Sequence, residues 1–227
     1  YWAAIMRKQE IIMNKLTLGA ALLAGSMLST PVLAATIEGN VSATTDYIWR
    51  GNTQSDGDVS FSGGVDIDFG NGFAAGAWTG SLGGDANEDE ADYELDLYAS
   101  YSFALNGVDM EVGYISYQYP GVADSADDFA DIYVSAGVGA FTVSYFMLES
   151  AEDEDFEDTD ATYVSVDAEF GLDDGWTLGL HYGEEDYDGG ESDEDTAVSL
   201  SKENVTFTIS GNEGDDTRAI VSWGTSF

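Results

Sequence analysis

The sequence predicts an all-β fold: a transmembrane antiparallel β-barrel of about twelve strands, with long outer loops and short periplasmic turns. Three observations support this prediction. Polar and apolar residues alternate along repeated segments, long and short connections alternate between those segments, and the final strand stops at the aromatic Phe227. A period of two places apolar side chains on one face of a strand. Long loops at one end and short turns at the other are typical of bacterial outer-membrane barrels.

The chain is predicted to contain three segments. Residues 1–12 precede Met13 and are interpreted as an upstream extension that is not native. Residues 13–34 combine a charged start, an apolar run and the small residue Ala34, which is the pattern of a signal peptide. Residues 35–227 remain as one domain. Because this domain has no apolar run long enough for a spanning helix, it can cross a membrane only as a closed barrel.

The composition excludes several functional classes. The chain has no cysteine, so disulfides and thiolate metal sites are impossible. It has 44 acidic residues against six Lys and Arg, and three of those six cations precede residue 35. The three that remain are Arg50, Lys202 and Arg218. Nucleic-acid binding is excluded, because phosphate contacts need clustered Lys and Arg.

Alternation is clearest in the segment 59–69. Phe61 and Val65 fall on one face of this segment, whereas Asp66 and Asp68 fall on the other. Since a charged side chain in lipid is costly, the apolar face is expected to meet the membrane. The same pattern predicts twelve strands, at 37–49, 59–69, 73–81, 92–103, 107–117, 129–139, 141–148, 161–171, 176–183, 196–202, 205–211 and 217–227.

The connections between these strands alternate in length. Long segments are predicted at 50–57, 83–91, 118–128, 149–160, 184–195 and 211–216, and short turns at 70–72, 105–107, 139–140, 172–175 and 203–204. None of the long segments is obviously long enough for the constriction loop that trimeric porins usually need, and whether a loop folds in to close the barrel is left open by the sequence. Acidic runs occupy the segments 85–92, 149–160 and 184–195, so we expect these carboxylates to lie on the outer surface.

Several motifs resemble the TorF-type putative porins, a family of small proteobacterial outer-membrane proteins. The likeness covers nearly the whole of residues 35–227 and departs mainly in the loops, which are more acidic here. The resemblance implies a barrel and a pore, but no established substrate. It also implies that Phe227 is the terminal aromatic read by barrel-assembly machinery. The motifs are Asp46-Tyr47-Ile48-Trp49-Arg50-Gly51-Asn52, Gly72-Phe73-Ala74-Ala75-Gly76-Ala77-Trp78, Glu94-Leu95-Asp96-Leu97-Tyr98, Tyr117-Gln118-Tyr119-Pro120-Gly121 and Gly175-Trp176-Thr177-Leu178.

Inward side chains decide how a barrel lumen behaves. Rings of carboxylates attract cations and exclude anions, so the inward acids predict a cation-preferring diffusion pore. The alternative is a lumen that is polar but filled by side chains, since small barrels can be plugged in this way. The residues predicted to line the pore are Asp66, Asp68, Glu94, Asp96, Asp109, Glu111, Asp131, His181 and Arg50.

More specific roles are predicted for Arg50 and His181 than for the acidic residues. Arg50 follows the first predicted strand, where its guanidinium could pin a loop or narrow the pore through bidentate pairing; an ordinary strand-end ion pair is the alternative. His181 is the sole histidine and is predicted to face inward near the outer mouth, as a hydrogen-bonding lumen residue. No serine motif accompanies His181, so an enzyme is not expected.

Aromatic residues are expected to form interfacial belts. Trp49, Trp78, Trp176 and Trp223, with Tyr47, Tyr101 and Phe227, are assigned to strand ends or outward positions. A sugar-stacking track in the lumen is the alternative for Trp78, whose strand has a weak facing assignment. The acidic loops lack the ligand spacing of a calcium loop, so they are interpreted as a hydrated surface, with weak divalent-cation binding as the alternative.

These features together predict a porin-like channel in the outer membrane of a Gram-negative cell. It would allow passive diffusion of small solutes with a preference for cations, and it would need no cofactor and no metal. The alternative is a non-conducting structural or surface-interaction barrel whose acidic loops bind cations. The expected partners are outer-membrane lipid, lipopolysaccharide and the barrel-assembly machinery, and the barrel is expected to be a monomer.

Overall fold

The computed structural model describes residues 35–83, 91–120, 129–150, 161–187, 192–213 and 217–227, without the side chains of residues 149 and 150. The predicted extension, the signal peptide and the acidic run 149–160 therefore lie outside the described residues, apart from the backbone of 149 and 150. The strands are β1 (Thr36–Thr44), β2 (Ile48–Trp49), β3 (Asn52–Thr53), β4 (Ser60–Asp68), β5 (Phe73–Ser81), β6 (Tyr93–Leu105), β7 (Val108–Gln118), β8 (Phe129–Val138), β9 (Phe141–Ser150), β10 (Ala161–Gly171), β11 (Trp176–Tyr187), β12 (Ser192–Lys202), β13 (Val205–Asn212) and β14 (Arg218–Ser226).

Among the described residues, twelve strands form one closed antiparallel barrel, and β2 pairs with β3 in a separate two-stranded sheet. Each barrel strand pairs with its neighbours in sequence, and β1 closes the ring between β14 and β4. This arrangement confirms the predicted fold class. A 3₁₀ turn, Asp173–Gly175, connects β10 and β11. In the described part of the chain, no helix is long and apolar enough to cross a membrane.

The two ends of the barrel differ as predicted. At one end, here called the turn end, the connections are tight; Asn106 and Gly107 both have positive φ and link the paired residues Leu105 and Val108. Asn-Gly favours such a two-residue turn because both positions need φ above zero. The opposite end, here called the loop end, carries the longer connections, including residues 45–59 between β1 and β4.

The two faces of the barrel wall also differ. Large apolar side chains cover the outside, including Phe61, Val65, Phe207 and Ile209, each about half exposed or more. The inside is polar, and hydroxyl pairs such as Ser42–Ser62 join neighbouring strands across it. Because an outward apolar band is what hydrocarbon requires of a barrel, this wall is built to face lipid.

The seam of the barrel lies where β14 meets β1. Phe227 and Gly39 exchange both backbone hydrogen bonds, at 2.9 Å each. A Cβ on Gly39 would lie 2.8 Å from the Phe227 ring, so glycine gives the aromatic ring room to cover the strand edge. The predicted role of Phe227 as an assembly signal stays a prediction.

The structure corrects the first predicted strand. Alternation suggested one strand from 37 to 49, but β1 ends at Thr44. The chain then turns inward, and β2 and β3 form a small hairpin within the barrel. The polar cluster around Asp46 explains the break: Asp46 accepts hydrogen bonds from the hydroxyls of Thr53 and Ser55, at 2.6 and 3.1 Å, so its side chain serves a turn rather than a strand.

A second correction concerns the predicted loop 184–195. β11 continues to Tyr187 and β12 begins at Ser192, so most of this acidic segment is strand rather than loop. Alternation then turns Glu185 and Asp195 into the lumen, where they are 4% and 3% exposed. These two carboxylates are therefore lumen residues, not part of the outer surface, because the pleat of the extended strands sends every second side chain inward.

Candidate functional site

Residues 45–59 form a folded unit, here called the inner hairpin. Trp49 pairs with Asn52 across a two-residue turn, in which Arg50 has φ 46° and Gly51 has φ 78°. Two positive φ values in succession define the turn type that matches the twist of a hairpin. The lengths of the connections left open whether a loop folds inward, and a two-residue turn lets even this short segment reach across the lumen.

The tip of the inner hairpin rests against the wall formed by β12 and β13. A Cβ built on Gly51 would lie 2.6 Å from Cβ of Asp195 and 2.8 Å from Cβ of Asn212. Next to it, the Asn212 amide donates a 2.7 Å hydrogen bond to Oδ1 of Asn52. Glycine is therefore required at the tip both for its backbone angle and for the close contact.

Arg50 makes both ionic and aromatic contacts inside the lumen. Its guanidinium donates to Asp131 on β8 and to Glu185 on β11, at 2.6 Å each. It also lies over the rings of Trp49 and Tyr163, 4.3 and 4.5 Å from their centroids. Burial is the largest single influence and lowers the pKa of Arg50, but the charges of Asp131 and Glu185, with the other partners of the guanidinium, together outweigh it, and the pKa rises above its usual value. Arg50 is thus a permanent cation that joins the hairpin to two strands.

The base of the inner hairpin packs against β5 and β6. Tyr47 is 1% exposed, lies 5.5 Å from the Trp78 ring and donates a 2.9 Å hydrogen bond to Glu94. Burial, followed by the charges of Glu94 and Asp96, raises the pKa of Tyr47 well above its usual value, so its hydroxyl remains a donor. On the other side of the hairpin, Arg218 contacts Asp46 at 3.1 Å.

His181 forms a second buried ionic cluster. Its Nδ1 lies 2.7 Å from Asp167 and its Nε2 lies 2.8 Å from Asp195. The Tyr163 hydroxyl, which sits 3.0 Å from Nε2, donates to Asp195 at 2.8 Å. A ring with carboxylates on both nitrogens is best satisfied when both nitrogens carry protons. This cluster therefore ties β10, β11 and β12 together below the hairpin tip.

The predicted pore-lining residues separate into two groups. Those near the loop end are buried by the inner hairpin or lie on it: Glu94, Asp96, Asp131, His181 and Arg50 are all 7% exposed or less. Those nearer the turn end remain half-buried or exposed: Asp66, Asp68, Asp109 and Glu111. In this second group Asp66 accepts hydrogen bonds from Asn40 and Tyr98, and Glu111 from Ser102 and Tyr133. All nine residues lie on the inner side of the wall or on the hairpin within it.

Three aromatic residues assigned to interfacial belts lie inside the barrel instead. Trp49 packs 6.0 Å from Tyr117 and 5.9 Å from Phe129, and Tyr47 packs against Trp78. The inward turn after β1 moves Tyr47 and Trp49 off the outer face, and the pleat of β5 points Trp78 into the lumen. Trp223, Tyr101 and Phe227, by contrast, are exposed on the outer face.

Sequence reasoning missed the wall residues that receive Arg50 and His181. Tyr163, Asp167 and Phe146 follow strand alternation, so the parity of β9 and β10 could have placed them inside. Glu185 and Asp195 carried no comparable signal, because they lie in a run that reads as an acidic loop. Among the described residues, no group of three or more His, Asp or Glu side chains is arranged to hold a metal ion.

A family described as bacterial protein of unknown function (Gcw_chp) matches residues 29–211. The chain belongs to this family. The match spans most of the chain, including the inner hairpin and all the strands from β1 to β12. The resemblance to TorF-type porins stays a prediction beside it. No curated protein matches the chain by sequence.

Solved structures share the fold of this Gcw_chp member. A KdgM porin has a TM-score of 0.50 and 12% identity, over 86% of this chain and 98% of that one. The structure described as KdgM porin in complex with disordered oligogalacturonate has a TM-score of 0.51 and 10% identity, again over 86% and 98%. At such identities the likeness shows the fold alone, a porin-type barrel.

Proposed function

We propose that this protein is an outer-membrane channel for the passive diffusion of small solutes, with a preference for cations. The observation that carries the proposal is the charge of the inner wall. Acidic side chains face the lumen from the turn end, at Asp68 and Asp109, to the loop end, at Asp131 and Glu185. A closed barrel with an apolar exterior and an acidic interior supports both the membrane location and the cation preference.

The described cations of the lumen do not offset these acids. Arg50 is shared between two carboxylates, His181 lies between two more, and Arg218 contacts Asp46. Each of the first two clusters therefore holds two carboxyl groups against one cation. An anion entering the barrel meets carboxylates, and the cations described above are already paired with carboxylates of their own. A cation, by contrast, is attracted along the whole path.

Oligogalacturonate is not expected to be the solute of this channel. Oligogalacturonate, which appears in the description of one KdgM structure, bears a carboxylate on each sugar unit. Such an anion would be repelled by the acidic wall described here, whereas a cationic or neutral solute would not. Fold similarity therefore supports a channel, and the side chains decide what it admits.

Planar-bilayer recording tests the proposal. Across a gradient of KCl, the reversal potential of the purified barrel should have the sign of a K⁺-selective channel. Replacing the accessible lumen acids, as in Asp68→Asn with Asp109→Asn, should shift the potential towards zero. The matched control is Asp173→Asn with Asp174→Asn, which removes the same charge from the exposed turn between β10 and β11. A chloride preference would contradict the proposal.

A filled, non-conducting barrel is the second candidate, and one observation favours it. The inner hairpin brings Tyr47, Trp49 and Arg50 into the lumen, where they pack against Trp78 and Tyr117. In that case the recordings above show no channel openings in the native protein. Openings that appear only after the hairpin is displaced would also decide for this candidate.

A further inference from the structure

Four consecutive barrel strands each direct one side chain at the guanidinium of Arg50. Asp131 on β8 and Glu185 on β11 hold it at 2.6 Å from either side. Between them, the rings of Phe146 on β9 and Tyr163 on β10 lie 5.5 and 4.5 Å from its central carbon. These four wall residues, here called the cradle, belong to the barrel and not to the hairpin that inserts Arg50.

The chemistry of the cradle matches a planar organic cation. Carboxylates at the edges accept the in-plane N–H donors of a guanidinium, and aromatic faces above it supply cation–π attraction. The two carboxylates are themselves oriented, because Tyr117 donates to Asp131 at 3.0 Å and Tyr187 donates to Glu185 at 2.9 Å. The wall is thus built for this group independently of the segment that carries it.

The cradle also exceeds the needs of its present occupant. It holds two carboxylates against the single positive charge of Arg50, and Oδ1 of Asp131 has no hydrogen-bond partner among the described residues although the side chain is fully buried. A buried acceptor without a partner costs free energy, and a ligand whose donors are not fixed in position by a hairpin could use it.

We propose that the cradle is a recognition site for solutes that carry a guanidinium group, and that Arg50 occupies it as an internal ligand. The proposal rests on the proposed function in that such solutes reach the cradle through the lumen. A guanidinium solute competes with Arg50 for the same carboxylates and rings. When it enters, the tip of the inner hairpin loses its main ionic anchor.

Arg50→Asn provides the test. It removes the guanidinium but leaves Asn-Gly at the turn, the pair that this type of two-residue hairpin turn favours most, so the hairpin can still fold. The probe is methylguanidinium at millimolar concentration, with methylammonium as the non-planar comparison, and binding is measured by calorimetry on the detergent-solubilised barrel. Arg218→Asn is the matched control, because it removes one lumen cation without touching the cradle.

The expected result is saturable binding of methylguanidinium to Arg50→Asn, about tenfold or more tighter than to the native protein or to Arg218→Asn. Methylammonium should bind more weakly than methylguanidinium, and adding Glu185→Gln to Arg50→Asn should abolish the gain. Equal binding by all the variants, or binding that survives the loss of Glu185, overturns the proposal. So does equal binding of methylammonium.

Two further measurements keep the outcome decisive. Circular dichroism and the heat-modified mobility of the barrel on gels show whether Arg50→Asn folds, and Arg50→Lys serves if it does not. In Arg50→Lys the ammonium stays tethered but cannot span both carboxylates in one plane, so methylguanidinium should compete for the cradle more effectively than in the native protein.

A cation-selective native channel without methylguanidinium binding to any variant refutes the recognition site alone. Saturable binding to a barrel that never conducts refutes the channel alone.

Discussion

The loop-end and turn-end halves of the lumen are lined by the same kinds of inward side chain, yet they differ in how far water reaches them. Asp131 and Glu94 near the loop end are 0% and 2% exposed, whereas Asp109 near the turn end is exposed and Asp68 is half-buried. Strand alternation alone predicts the same inward direction for these four acids and no difference in their exposure. The difference arises because the inner hairpin fills one half of the barrel and not the other.

The comparison shows that a lumen residue has two separate properties. The first is its side of the wall, which the pleat of its own strand decides. The second is its access to solute, which depends on a segment far away in sequence: Arg50 reaches Asp131 across 81 residues and Glu185 across 135. A pore hypothesis needs both properties, and moving the hairpin changes the second without altering the first.

Displacing the hairpin tip is expected to have the largest effect. Gly51→Ala places a methyl group within 2.8 Å of both Asp195 and Asn212, in a backbone conformation that alanine disfavours. Strain and overpacking together should cost about 2–5 kcal/mol of hairpin docking. Hydrogen–deuterium exchange of residues 45–59 should accelerate accordingly, and channel conductance should rise.

Gly57→Ala is the control for this change. Gly57 has a similar φ of 82°, but the nearest atom to its Cβ is Nη1 of Arg218 at 3.8 Å. It should therefore show only the backbone cost of about 1–2 kcal/mol. If both variants exchange at the same rate, contact between the tip and the wall does not hold the hairpin, and the two halves of the lumen differ for another reason.

Single cysteines measure the difference in access directly, since the chain has none of its own. Ser210 and Thr206 lie on the inner face of β13, at the loop end and the turn end, and only Ser210 is buried. A water-soluble thiol reagent should modify Thr206→Cys about tenfold faster than Ser210→Cys, because the buried site reacts only when the hairpin opens. Adding Gly51→Ala should remove most of this difference; equal rates without it would refute the division of the lumen.

The smallest expected effect is at the base of the hairpin. Tyr47→Phe removes the hydroxyl that donates to Glu94 but keeps the ring against Trp78. The loss of one buried hydrogen bond to a carboxyl group should weaken hairpin docking by about 1–2 kcal/mol, read from exchange of the same segment. Tyr182→Phe is the control, because its hydroxyl contacts Glu184 at 3.4 Å on the exposed face. A Tyr47→Phe effect no larger than this control would show that the base contact is incidental.

Prediction of the inward residues succeeded in some strands and failed in two segments. In β4 and β6 the alternation is unbroken, so the sequence indicates the inward direction of Asp66, Asp68, Glu94 and Asp96. Prediction failed in residues 45–49, where the apolar–polar rhythm continues through a bend. It failed again in 184–195, where acids that read as a surface run belong to two extended strands.

The barrel follows from the order of residues alone, because backbone pairing and the contrast between lipid and water act on each strand through its own residues. Most of the alternation of long loops and short turns follows from it as well, whereas the contact between Gly39 and the Phe227 ring at the seam appears only in the structure. Which lumen side chains are buried and which are accessible depends on the tertiary structure. Arg50 meets its carboxylates only after β8 and β11 are brought to the same barrel and the hairpin has folded between them, and contacts at such separations leave no local pattern in the chain.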